Sequence, residues 1–213
     1  MRLKRSRAAV LAAALITVTL TACAPPGQPG NPGVAATYED KDVTNQDVDA
    51  IYQAWLDGTQ GTDVANRRQI LTIELLRDDL LAKCKEAGYP VTWNLAQAQA
   101  NQWIVFKGQK GTATDPMIEA TQGILALYVI ANLDPTLGDL KEISENVEES
   151  AEVSPRSGVY DTDTLLDSVH KAMQSAEDQQ LGSQFSYTEY QNVSAFTDED
   201  RAWFDRGGSA SAS

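Results

Sequence analysis

Histidine and cysteine are almost absent from this chain. One histidine, His170, and two cysteines, Cys23 and Cys84, occur in 213 residues. A zinc site of ordinary spacing cannot be assembled from so few ligands, and none is expected. Ser168-x-His170 supplies a hydroxyl and an imidazole. A nucleophilic triad is recognised by geometry, however, and this histidine has no distinctive surroundings. Basic residues are scarce too: 17 Lys and Arg stand against 30 Asp and Glu, a net charge of −13. Such a body repels phosphate backbones and anionic headgroups, which argues against a nucleic-acid partner. The acids themselves point to solvation. Asp78-Asp79 and Glu148-Glu149 are helix neighbours facing different sides. Asp161-x-Asp163 lacks the further oxygens and loop glycine of an EF-hand, and Gly108-x-x-Gly111 lacks the Lys-Ser/Thr end of a phosphate loop. No enzyme activity, cofactor or metal is expected, and no internal repeat shows.

What is present begins at the N-terminus. Arg2, Lys4, Arg5 and Arg7 precede an uncharged, largely apolar run of thirteen residues, Ala8 to Leu20. A spanning helix needs about 20 residues and a secretory apolar region about 7–15, so residues 1–22 read as a leader. Leu20-Thr21-Ala22-Cys23 resembles the lipobox of bacterial lipoproteins. That resemblance implies cleavage before Cys23, acylation of its thiol, and a place outside the cytoplasm on a lipid tether. Two or three acyl chains anchor stably where one holds only marginally. Loss of the leader's four basic residues would take the net charge from −13 to −17. Residues 23–33 form a Pro/Gly spacer that cannot bury a core. Cys84 then stands alone on an apolar helical stripe, where a cysteine is ordinarily a small buried hydrophobe.

Beyond the spacer the pattern is helical. Val34 to Tyr38 is a short β-capable stretch that needs a distant partner. Thr44-x-x-Asp47 has the form of a capping box, Val48, Ile51, Tyr52, Trp55 and Leu56 follow at helical spacing, and Gly58 supplies a stop. Asp63 is expected to cap the next helix, which stops at Gly88. Its apolar residues, from Ile70 to Cys84, cover well over a third of the circumference, so other helices must surround it. Asn94 is expected to cap a helix from Leu95 to about Phe106, and Asp115-Pro116 to start one that Asp134-Pro135 breaks. A further helix ends in the acid-dense stretch Glu142 to Glu152. Val153 to Val159 is extended and is the expected partner of Val34 to Tyr38. Thr164 to Gln179 is helical, and Thr197-x-x-Asp200 is expected to cap a last turn holding Trp203 and Phe204. The expected organisation is a main domain at 34–160, a helical appendage at 161–206 and a tail at 207–213.

Three stretches carry a further resemblance. Val43-Thr44-Asn45-Gln46-Asp47-Val48-Asp49, Arg68 to Leu76, and Lys85-Glu86-Ala87-Gly88-Tyr89-Pro90-Val91-Thr92 follow in order. They resemble the N-terminal chaperone domain shared by the SurA and PrsA foldases, and Val153 to Gly158 resembles its V-x-x-P-R-Y-G strand. Thr37-Tyr38-Glu39-Asp40 replaces the family's V-N-G turn, and Ser157 stands where tyrosine is usual. Fewer than sixty residues follow Gly158, too few for a parvulin isomerase module, so prolyl isomerase activity does not carry over. The resemblance implies a mostly α fold: a multi-helix bundle with a two-stranded sheet joining the N-terminal strand to a late one. It also implies an ATP-independent chaperone-like function, binding unfolded secreted polypeptides in an apolar groove walled by Trp93, Trp103, Phe106, Met117 and Tyr128. The alternative is an envelope scaffold lipoprotein docking one folded partner. Oligomeric state is open.

Overall fold

The computed structural model describes residues 33–61, 65–178 and 185–197. The described chain is mostly helical, with a small sheet at one side. Strands β1 (Val34–Tyr38) and β2 (Lys41–Thr44) form a hairpin, and β3 (Glu152–Val153) joins the other edge of β1, giving the antiparallel order β2-β1-β3. Three strands therefore replace the expected two. The hairpin forms without the family's glycine turn because Glu39 takes the left-handed region at φ 51°, letting Tyr38 pair with Lys41. The expected return of the late chain is present, with Ala36 opposite Val153. It is shorter than read. After Val153 the chain turns, and Tyr160 pairs instead with Phe196. Ser157 helps seat the return: its hydroxyl donates to Ala35 O at 3.3 Å, and its carbonyl accepts from Arg68 Nε at 3.1 Å.

Helix α1 (Asn45–Thr59) starts at the expected capping box. Thr44 Oγ1 accepts from Asp47 N at 3.1 Å, and the Asp47 carboxylate accepts from Thr44 N at 3.0 Å. Its end lies beyond the expected stop at Gly58. The helix runs through Gly58 and stops at Gln60, itself left-handed at φ 53°. Gly58 serves packing rather than termination, since a Cβ there would lie 3.1 Å from Met117 Sδ. The expected cap Asp63 lies outside the described residues. Asn66 caps α2 (Arg67–Glu86), accepting from Arg68 N and Gln69 N at 3.0 Å each, while Gln69 closes the box.

Helix α2 is the centre of the fold. Every residue from Ile70 to Leu76 is buried, about two full turns with no solvent face. Helix α4 (Asp115–Leu133) lies against it so closely that a Cβ on Gly123 would come within 2.5 Å of Ile73 Cγ2. By length and composition α4 is apolar enough to cross a membrane, but most of it is buried inside the protein, as in a core helix. Cys84 is fully buried, with its thiol 3.5 Å from Ala126 O, and burial pushes its pKa up to about 11. Helix α5 (Gly138–Ser150) is capped by the Asp134 carboxylate, which accepts from Gly138 N at 2.7 Å.

Helix α6 (Thr162–Asp178) and the 3₁₀ helix Ser186–Asn192 pack into the same core. Ala195 N donates to Thr72 Oγ1 of α2 at 3.0 Å, and Tyr190 meets Tyr128 edge-on at 5.4 Å. Thr197 ends the described chain, so Asp200, Trp203 and Phe204 lie outside it, as do Cys23 and residues 1–32.

Candidate functional site

Helix α3 (Trp93–Phe106) differs from its neighbours in composition. Its fourteen residues, WNLAQAQANQWIVF, include no charge, although the chain carries 30 acids. Thr92, rather than the expected Asn94, caps it: Thr92 Oγ1 accepts from Leu95 N at 3.3 Å. Ala96, Ala100, Trp103 and Ile104 are buried, the last two at its C-terminal end. On the opposite side Leu95 is 43% exposed, Val105 67% and Phe106 55%, and at about 100° per residue they fall on one outward stripe.

At the C-terminal end of α3 this stripe becomes an aromatic patch. Trp103 and Phe106 stack at 5.2 Å, and Phe185 closes on them at 5.4 and 4.7 Å. Lys107 Nζ lies 4.6 Å from the centre of the Trp103 ring, a cation–π contact. Phe106, Phe185, Val105, Asn101 and Gln102 line a shallow depression of about 400 Å³. Beneath it, Trp103 Nε1 and Gln99 Oε1 are buried with no hydrogen-bond partner among the described residues. Each such group costs about 1–3 kcal/mol.

The five groove candidates do not converge. Trp103 and Phe106 meet, being three apart on one helix. Trp93, at the start of α3, is about 20 Å of helix rise from Phe106 and on a different side. Met117 is buried against Gly58, and half-buried Tyr128 packs on Tyr190. Phe185 was not read from the sequence at all. It precedes a 3₁₀ helix without apolar periodicity, so no local pattern marks it.

A second, polar groove of about 710 Å³ lies between the start of α2, α6 and residues 192–197, lined by Arg68, Gln69, Asp167, Ser168 and Lys171 among others. Ser168 Oγ accepts from Ser194 N at 3.1 Å. His170, two residues on, points about 200° away around the helix, so the two form no dyad. Glu74 is 7% exposed beside Arg77 Nη1 at 2.8 Å. Burial holds its carboxyl above the usual range, with the arginine opposing. Burial pushes Tyr190 up to about 12 and Tyr160 well above its ordinary value; Tyr160 OH lies 3.1 Å from Ser144 Oγ. No group of three or more His, Cys, Asp or Glu among the described residues is arranged to hold a metal. Comparison with known protein families, with curated proteins and with solved structures finds no match.

Proposed function

We propose that this is a lipid-anchored, ATP-independent chaperone-like protein outside the cytoplasm, anchored through Cys23. Its clients are unfolded secreted polypeptides, whose apolar segments it holds on the C-terminal end of α3. The observation that carries this reading is the uncharged patch at the end of α3, where Val105 and Phe106 are exposed beside half-buried Phe185 on an otherwise acidic protein. Contiguous exposed apolar surface marks interaction sites on soluble domains. Aromatic side chains suit varied clients because they offer large contact area at little entropic cost. Two further features support kinship with the SurA and PrsA N-terminal domain: β3 returning to β1, and α2 enclosed by the other helices.

The test uses the chain from Ala24 with several unrelated, chemically unfolded clients. Broad suppression of aggregation, lost in Phe106→Ser, is expected. No suppression of any client sinks the reading. Membrane attachment that survives Cys23→Ser would remove the lipid anchor. One feature favours a second reading, an envelope scaffold docking a single folded partner: at the C-terminal end of α3 the aromatic rings form one compact patch rather than a long groove. A single stable partner, with no suppression of aggregation, is the result that reading expects.

A further inference from the structure

One arginine stands between the carboxylates of two helices. A cavity of about 200 Å³ opens where β2, α1, α2 and the start of α4 meet. Lys41 and Asp42 of β2, Asp47 of α1, Glu74 and Arg77 of α2, and Glu119 of α4 face it. Glu74 is buried, whereas Glu119 is about half exposed. Arg77 Nη1 donates to Glu74 Oε1 at 2.8 Å. The same nitrogen lies 3.7 Å from Glu119 Oε2, just out of hydrogen-bond reach. Arg77 Nε is 3.5 Å from Asp78 Oδ1, and Asp78 in turn holds Lys41 at 2.8 Å. From β1, Tyr38 donates to the neighbouring Asp79 at 2.9 Å. Burial is the main cause that raises the Glu74 pKa; Arg77 and Lys41 oppose it, and Glu119 and Asp78 add to it.

We propose that Glu74, Arg77 and Glu119 form a proton-operated switch between α2 and α4. With Glu74 ionised, Arg77 Nη1 stays on it, and the ion pair lies within α2. With Glu74 protonated, its hold on the guanidinium falls to that of an uncharged acceptor, about half as strong. Nη1 then closes on the charged Glu119. The closure needed is about 1 Å, and the cavity leaves the guanidinium room to make it. A pairing inside one helix thereby becomes a link between two. The first turn of α4, which carries Met117 against Gly58 of α1, is tied to α2 when the surroundings acidify. The sign follows from burial. Glu74 takes up its proton as pH falls through a folded value above the ordinary one of about 4.3. The switch is independent of the patch on α3.

The experiment uses the full chain in detergent micelles, with its arginines labelled for nuclear magnetic resonance. The guanidinium signals of Arg77, assigned through bonds to its own backbone, are followed from neutral to acid pH. In the parent they should shift as Glu74 takes up its proton. In Glu74→Gln they should already sit near the shifted position at neutral pH. No shift in the parent, or the same shift in Glu74→Gln, overturns the switch. A second measurement reads the link itself. At neutral pH, Glu119→Gln should raise the unfolding constant by less than about twofold in the parent and by about fivefold in the Glu74→Gln background. Equal effects in the two backgrounds overturn the switch as well. Should Glu74→Gln not fold, the parent and Glu119→Gln decide alone. Removing Glu119 takes away the acceptor, so the acid-side position of the Arg77 signals must differ between the two, and coincident positions overturn the switch.

Discussion

Helices α2 and α3 obey opposite rules. α2 carries nine charged residues among its twenty, yet from Ile70 to Leu76 it shows solvent nothing. α3 carries none, yet exposes Leu95, Val105 and Phe106. Between Arg68 and Arg77 the one charged side chain of α2 is Glu74, which pairs with Arg77. The middle is left to packing. In α3 only the inner stripe packs, and the outer one is apolar without being covered. The contrast separates two uses of apolar residues. Those of α2 hold the fold together, whereas those of α3 spend exposure without repaying it in stability. Substitutions in the two helices should therefore move different measurements.

The largest effect is expected in α2. Leu80 is fully buried, so Leu80→Ala should lower unfolding stability by about 2–5 kcal/mol, read from urea denaturation. A loss below 1 kcal/mol would mean that α2 is not the centre of the core. Next is the seam with α4. Gly123→Ala forces a methyl to within 2.5 Å of Ile73 Cγ2. Overpacking costs about 1–3 kcal/mol, offset by up to about 1 kcal/mol of helix propensity. A net gain in stability would break the account of a close approach.

Glu74 gives a smaller effect with a sign. Burial raises its folded pKa above an unfolded value of about 4.3. Its contribution to stability is then fully present below that unfolded value and is lost as pH rises through the folded one. Glu74→Gln should therefore gain on the parent as pH rises from acid to neutral. A parent and variant that run parallel across that range would show the carboxyl to be unshifted. The helix starts are finer still. Asn66→Ala and Thr92→Ala each remove a cap, at about 1 kcal/mol. The first should cost more, because Asn66 serves two N–H groups and Thr92 one.

How much of this was legible follows the range of the interaction. The Thr44–Asp47 box and the centrality of α2 could be read because both are written in spacings of three and four. The return of the late strand was legible because the stretch from Val153 is extended by its Pro, Gly and β-branched residues and the lone strand at Val34 needs a distant partner, and the structure pairs Ala36 with Val153. Strand β2 was missed because four residues with two charges carry little apolar alternation, and the hairpin depends on Glu39 accepting a left-handed backbone. Gly58 misled for the opposite reason. A glycine near a helix end looks like a stop, and only Met117, far along the chain, shows that it clears space. At the candidate site, Trp103 and Phe106 were legible as helix neighbours. Phe185 was not, since a ring contact across the fold leaves no trace in local sequence.

The smallest expected effect tests the contrast most directly. Leu95→Gln with Val105→Gln swaps two large exposed apolar groups on α3 for polar ones of similar length. Substitutions on exposed surface usually stay within about 0.5 kcal/mol of neutral, and glutamine forms helix well. Neither position touches the cap at Thr92, and neither is among the buried residues of α3. The urea midpoint should therefore hold, while the exposed apolar surface, read by binding of a solvatochromic dye, falls. If stability drops by 2 kcal/mol or more, the stripe is covered within the monomer and α3 packs like α2. If stability holds and dye binding is unchanged, the apolar surface that matters is Phe106 with Phe185, and the working face narrows to the aromatic patch. If stability holds and dye binding falls, the whole stripe is open, and α3 owes its composition to what it meets rather than to the fold it belongs to.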